Sequence, residues 1–128
     1  MQGALISISD SAVLSPGNPA DWEYTSLQNA SSYGFASSRN VLSSQKLGSL
    51  QALNSSYYDT VRERMGAGRF ELSISVVDSG GSTLYSFGKA PDAGNETVSS
   101  ASAERLALLD DGVVTLKVQL WRRKARLA

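Results

Sequence analysis

The alternation of apolar and polar side chains over residues 70–76 constrains the fold most. Phe70, Leu72, Ile74 and Val76 are apolar, and the residues between them are polar. Successive side chains of a β-strand point to opposite faces of the sheet, so this segment is predicted to be a strand with one buried and one solvated face. The sheet therefore needs other elements to cover its apolar face.

Turn residues divide the second half of the chain into two predicted hairpins. A Ser-Gly-Gly-Ser turn at 79–82 joins the first strand to a short strand over 84–87. The turn at 110–112 joins a strand ending in residues 105–109 to one over 114–120. The two hairpins predict an antiparallel sheet of about four strands.

The register of the second hairpin depends on the length of its loop. A two-residue loop at Asp111-Gly112 would place Leu106 opposite Lys117. A three-residue loop over 110–112 places Leu106 opposite Leu116 and Leu108 opposite Val114. We predict the three-residue loop, because it keeps the leucines on the apolar face. The predicted buried face comprises Phe70, Leu72, Ile74, Val76, Leu106, Leu108, Val114, Leu116, Val118 and Leu120.

Helical periodicity in the first half predicts the elements that cover the sheet. Residues 2–14 carry apolar side chains at helical spacing and precede the Pro-Gly pair at 16–17. A second helix is predicted over 43–53 behind a serine cap, and a third begins with Ser56 as its cap and ends at about residue 66. The apolar positions of the first helix are Ala4, Leu5, Ile8 and Ala12.

The expected fold class is α+β, in one domain. The N-terminal helix and one or two short helices are expected to pack on one face of the antiparallel sheet. Along residues 1–128 we expect the N-terminal helix over 1–14, a long loop over 15–40, helices over 41–66, the sheet over 69–121 and a basic tail over 122–128.

Four aromatic side chains in the long loop are the first candidates for ligand binding. They are Trp22, Tyr24, Tyr33 and Phe35. Long loops are often functional, but large rings bury well wherever they fit. We therefore predict that these aromatics hold the loop to the core, with ligand binding as the alternative.

The amino-acid composition excludes most familiar catalytic chemistry. The chain has no histidine and no cysteine, which removes Ser-His-Asp and Cys-His catalysis and the usual zinc ligands. We predict that the protein is not an enzyme, with no catalytic, cofactor-binding or metal-binding residue and no cofactor. Its formal net charge of +0 offers no global attraction to nucleic acid, so no nucleic-acid partner is expected.

Two short motifs match functional patterns, and each has a structural explanation. Residues 43–46 match S-x-x-K, but the partner motifs of penicillin-recognising enzymes are absent, so Ser43 or Ser44 is interpreted as a helix cap. The acidic pair in 110–112 supplies too few oxygens for calcium and is interpreted as a turn.

Three N-x-[ST] sequons are candidate glycosylation sites and favour an extracellular protein. Their asparagines are Asn29, Asn54 and Asn95. The chain contains no apolar run of the length that export by a signal segment requires. We therefore expect that a segment upstream of the chain is missing.

Several local patterns occur in an order that extends over nearly the whole chain. They are PGNPADWE at 16–23, GFA at 34–36, VLSSQKL at 41–47, YDTVR at 58–62, and the stretch from RLALL at 105–109 to LW at 120–121. In this order the chain resembles archaeal type IV pilin-like proteins. The tail 122–128 departs from the pattern of that family.

The resemblance implies an exported precursor with a class III signal peptide and a non-enzymatic role in a surface filament. An apolar N-terminal transmembrane helix would serve as membrane anchor and filament stem, with an extracellular head that is structural or adhesive. Residues 1–14 would be the end of this stem, with Ala4, Leu5, Ile8 and Ala12 as a candidate assembly face toward other pilin-like subunits. The isolated head is expected to be largely monomeric.

Two other functions are open on the sequence alone. The first is an extracellular ligand- or glycan-binding domain that uses the loop aromatics. The second is a cytosolic scaffold module, which requires neither an anchor nor an export signal.

Overall fold

The computed structural model describes residues 2–25, 30, 32–53, 56–89 and 97–123. In this part of the chain the helices are α1 Gln2–Leu14, α2 Trp22–Thr25, α3 Ser44–Ala52 and α4 Tyr58–Arg64. The strands are β1 Gly17–Asn18, β2 Ser32–Tyr33, β3 Ala36–Ser38, β4 Val41–Leu42, β5 Glu71–Asp78, β6 Thr83–Gly88, β7 Thr97–Leu109 and β8 Gly112–Arg123.

The main sheet is curled and mixed, and its six strands lie in the order β3-β4-β7-β8-β5-β6. The predicted fold, helices on a four-stranded antiparallel sheet, is therefore wrong. Strands β3 and β4 come from residues predicted to be loop or helix, and β4 runs parallel to β7. These strands have three and two residues, which is too short for an alternating pattern to be visible in the sequence.

Strands β7 and β8 form the longest pairing of the sheet. β7 has 13 residues and begins at Thr97, well before the predicted segment 105–109. Its first half consists mostly of serine and alanine, which gives no apolar alternation to indicate a strand. β8 ends at Arg123, so the first two residues of the predicted basic tail belong to the sheet, and residues 124–128 lie outside the described part.

The turn between β7 and β8 corrects the predicted register. Asp110 and Asp111 both have positive φ, 49° and 69°, and they form a two-residue turn. Aspartate tolerates this conformation, and such turns match the twist of the paired strands. Leu106 therefore lies opposite Thr115 and is 71% exposed, while Leu108 lies opposite Val113 and is 45% exposed.

The remaining residues of the predicted apolar face lie inside. Alanines fill the inward positions of β7, where Ala103 lies opposite Val118 and Ala107 opposite Val114. Phe70 is partly buried against the core. The fully covered members of the predicted face are Leu72, Ile74, Val76, Val114, Leu116, Val118 and Leu120.

The three predicted helices exist, and one of their caps differs from the prediction. The bounds of α1 match the predicted residues 2–14. Ser43 caps α3, because its Oγ accepts a hydrogen bond from the Lys46 backbone N–H at 3.3 Å. The predicted Ser56 cap of α4 is wrong: the helix follows Tyr57, which makes no side-chain cap bond. The start of α4 is instead held by Tyr58, whose ring packs 5.8 Å from that of Phe87 in β6.

Candidate functional site

Helix α1 is joined to the sheet by the apolar residues that the sequence singled out. The side chains of Leu5, Ile8 and Ala12 are buried, and Ala4 packs against the same core. The helix contacts β7 and β8. This candidate assembly face is therefore occupied by the protein's own sheet, which leaves the opposite side of α1 for contacts with other molecules.

The C-terminal end of α1 is fixed by backbone hydrogen bonds. The last carbonyls of a helix have no partner within the helix and need one elsewhere. Here the Phe35 N–H donates to the Ala12 carbonyl at 3.1 Å, and the Asn40 N–H donates to the Val13 carbonyl at 2.8 Å. The helix end is therefore bonded to the residues that precede and follow β3.

An ion pair joins the middle of α1 to the inner side of β7. Arg105 Nη2 lies 2.5 Å from Asp10 Oδ1, and Arg105 Nε donates to Ser9 Oγ at 3.3 Å. Both charged side chains are partly exposed, so the pair contributes little stability by itself. Its consequence is that Asp10, the single charged residue of α1, is neutralised within the molecule.

The outward side of α1 carries no unpaired charge. Ile6 is 53% and Leu14 is 40% exposed, and the other exposed positions on the helix are small. A surface helix usually carries charged residues on its solvent side, whereas a helix that is apolar all round is usually buried. The outward side of α1 is therefore uncharged, and it combines two exposed apolar side chains with glycine and serine.

The loop aromatics are mostly part of the core. Trp22, Tyr33 and Phe35 are buried, whereas Tyr24 is 72% exposed. Trp22 Nε1 donates to the carbonyls of Pro16 at 3.1 Å and of Gly34 at 3.0 Å, so its polar atom is satisfied internally. The prediction that these rings hold the segment to the core is confirmed for three of them, and Tyr24 is the one that a ligand could reach.

A buried ion pair lies next to the Trp22 ring. Lys46 Nζ is 2.7 Å from Glu23 Oε1, and their side chains are 5% and 8% exposed. Lys46 Nζ also donates to the Ala20 carbonyl and lies 5.5 Å from the Trp22 ring centroid. The Lys46 charge is thus used to bind the segment before α3, and Ser43 of the S-x-x-K match is a helix cap.

Tyr58 links α4 to the first strand of the second half. Its hydroxyl donates to Glu71 Oε2 at 2.5 Å and accepts from the Leu72 backbone N–H at 2.9 Å. Burial, reinforced by the hydrogen bond to Glu71, raises the pKa of Tyr58 far above its usual value of 10.0. The phenol is therefore a neutral hydrogen-bond donor and not an activated nucleophile.

Alkaline titration should reveal this shift in pKa. The unfolded chain releases the Tyr58 proton near pH 10 while the folded chain retains it, so this contribution to stability is complete below pH 10 and is lost as the pH rises further. Tyr58→Phe should lower the free energy of unfolding at pH 7 by about 1–3 kcal/mol, because the Leu72 N–H loses its partner. The variant should also have a shallower alkaline decline, measured by urea unfolding at several pH values. A decline as steep as that of the wild-type chain would contradict this assignment.

The outer face of the sheet carries a polar depression of about 220 Å³. Two of its lining residues form an exposed ion pair, in which Lys117 Nζ lies 3.7 Å from Glu104 Oε1. Ligand sites are usually larger and mainly apolar, so this depression lacks the form of a typical small-molecule pocket. Its lining residues are Ser73, Ser75, Ser102, Glu104, Lys117, Val118 and Gln119.

The candidate glycosylation sites cannot be placed relative to the fold. Asn29, Asn54 and Asn95 lie outside the described residues. Within the described ranges, no group of three or more acidic, histidine or cysteine side chains is placed to hold a metal. The same part of the chain contains no helix with the length and apolarity needed to cross a membrane.

Comparisons with known proteins add no relative. The chain matches no known protein family, no curated protein and no solved structure.

Proposed function

We propose that the chain is the extracellular head of a pilin-like subunit, with a structural or adhesive role in a type IV pilus-like surface filament and no enzymatic activity. The observation that carries this proposal is the attachment of α1. One side of the helix is buried in the head, and its last turn is bonded to neighbouring backbone. Its outward side exposes Ile6 and Leu14 and carries no unpaired charge.

This attachment suits a subunit whose stem must hold its head in a fixed position. A stem that continued upstream of α1 would enter the head through a helix tied down by Leu5 and Ile8, by the Asp10–Arg105 pair and by the bonded last turn. Force or packing applied to the stem would then be transmitted to the sheet. The outward side, with the apolar Ile6 and Leu14, would face neighbouring subunits.

Two of the segments that carry the resemblance to pilin-like proteins are in contact, which supports the proposal. Trp22 and Glu23 belong to the PGNPADWE segment, and Lys46 belongs to VLSSQKL. The Lys46–Glu23 pair and the Lys46–Trp22 contact join the two segments. These two segments are therefore packed against each other in the head.

The glycan-binding alternative is less well supported, because three of the four loop aromatics are buried. Stacking against a sugar would require exposed rings, and Tyr24 alone of this set offers one. The cytosolic scaffold alternative places the protein inside the cell. Fractionation of native cells distinguishes it from the filament proposal.

Cysteine labelling tests the proposed contact, because the chain has no cysteine of its own. Ile6→Cys and a control, Tyr24→Cys, would be introduced into the protein with its native upstream segment. Both positions are exposed in the isolated head, so a membrane-impermeant maleimide should label both there. In cell-surface filaments Ile6→Cys should be protected while Tyr24→Cys stays reactive. Equal labelling of both positions in assembled filaments would refute a contact through α1.

A further inference from the structure

One long edge of the sheet is open. In the described part of the chain, β7 has two neighbours, β8 along its whole length and β4 at a single pair, Val41 opposite Leu108. None of the described strands therefore lies beside residues 99–106 on the β4 side. The side chains of Ser100, Ser102 and Glu104 are exposed along this stretch.

The backbone groups that face the open edge can be assigned. Leu108 N–H donates to the Asn40 carbonyl at 2.9 Å, so the N–H of Leu108 points away from β8. Alternate residues of a strand direct their N–H and C=O groups to the same side. Ser100, Ser102, Glu104 and Leu106 therefore present theirs to the open edge, where a further strand could pair with them.

This edge lacks the features that usually prevent strand addition. Natural edges are protected by proline, lysine, bulges, short length or inward-pointing charge. Residues 99–106 contain no proline and no lysine, and they are mostly serine and alanine. The inward-pointing charge, Arg105, is paired with Asp10 of α1. The irregularity in the pairing with β8 lies before this stretch, between Thr97 and Ser99.

We propose that the open β7 edge binds the β7 edge of a second copy of this chain, antiparallel and about a two-fold axis at Ala103. This register pairs Ser100 with Leu106 and Ser102 with Glu104, so that all four edge-facing residues are used and no glutamate lies opposite another. The small side chains near the axis allow close approach. The formal net charge of +0 produces no long-range repulsion between copies.

The proposal replaces the expectation that the isolated head is largely monomeric. That expectation followed from the pilin-like assembly, in which subunits pack through their stems while the heads face solvent. The proposal does not depend on the filament function, because edge pairing requires only the head. A strand from a different protein is the competing occupant, and it would leave the pure protein monomeric.

Sedimentation of the pure chain over a range of concentrations tests the pairing. The average mass should rise from 13.6 kDa toward twice that value as the concentration increases. Ser102→Pro should weaken the association by about tenfold or more, because it removes N–H donors from the new interface and none from the β7–β8 ladder. If that variant is unstable, Ser100→Lys combined with Ser102→Lys should weaken pairing through exposed like charges. A mass of 13.6 kDa at every concentration would overturn the proposal.

Disulfide formation tests the register. In the proposed pair the two Ala103 Cα atoms lie about 4.5 Å apart, which is within the range of a disulfide. Ala103→Cys should therefore form a cross-linked dimer under mild oxidation. Ser99→Cys is the matched control, because it lies on the same strand but opposite Ala107 of the other copy. Cross-linking that is equal for the two variants, or stronger for Ser99→Cys, would overturn the proposed pairing.

Discussion

Replacing Trp22 with alanine is expected to lower the free energy of unfolding by about 3–5 kcal/mol. The indole is fully buried, it donates to the Pro16 and Gly34 carbonyls, and its ring meets that of Tyr33 edge-on at 4.8 Å. Alanine would leave a large cavity and two carbonyls without a donor. Urea unfolding followed by circular dichroism would measure the loss.

Tyr24→Ala is the matched control for the same segment. Its ring is 72% exposed, so the free energy of unfolding should change by no more than about 0.5 kcal/mol. Similar losses for the two variants would mean that the segment does not pack as described. A stable Trp22→Ala protein would likewise contradict the role of this ring in the core.

Lys46→Met is expected to cost about 3–5 kcal/mol, because it leaves the Glu23 carboxylate buried without its partner. Methionine retains much of the length of the aliphatic chain, so the loss would arise chiefly from the unpaired charge. Lys117→Met is the control, since its contact with Glu104 is 3.7 Å long and exposed. That substitution should change the free energy of unfolding by less than about 1 kcal/mol.

A second substitution distinguishes an unpaired charge from simple damage to packing. Glu23→Gln added to Lys46→Met removes the uncompensated charge and should recover most of the lost stability. The two substitutions are in contact, so their effects should be strongly non-additive. The loss in free energy of unfolding of the double variant could instead equal the sum of the losses of the two single variants. That result would contradict the coupling that the 2.7 Å distance between Lys46 Nζ and Glu23 Oε1 indicates.

The elements with long, regular patterns could be predicted from the sequence. The helix over residues 2–14 and the buried side of residues 70–76 each contain several repeats of their period. A serine cap at Ser43 or Ser44 could also be predicted, because a serine preceding an apolar helical face is a strong start signal, and the structure has Ser43 in this position. Such signals are local and do not depend on the rest of the fold.

The pairing of the strands could not be predicted in the same way. Whether Leu106 is buried depends on a one-residue difference in the β7–β8 turn, and both alternatives fit a short leucine-rich run. β3 and β4 are defined by their partners, because their own sequences are too short to carry a period. The open β7 edge is a consequence of these pairings, so it could not be predicted from the sequence either.

The buried ion pair is the part of the candidate site with the weakest sequence signal. Lys46 lies four residues before Leu50 and therefore on the same side of α3, which could have indicated that its stem is covered. Nothing local identifies Glu23 as its partner, since the two residues are 23 positions apart. The burial of Trp22, Tyr33 and Phe35 could be anticipated from ring size alone.

Fractionation of native cells is the most direct test of the proposed surface-filament function. The protein with its native upstream segment, which should include an apolar stretch of roughly 20 residues, is predicted to appear in the membrane or sheared-filament fraction. The 128-residue chain expressed alone should stay in the supernatant. Recovery of the native full-length protein from the soluble cytosolic fraction would contradict the proposal and favour the scaffold alternative.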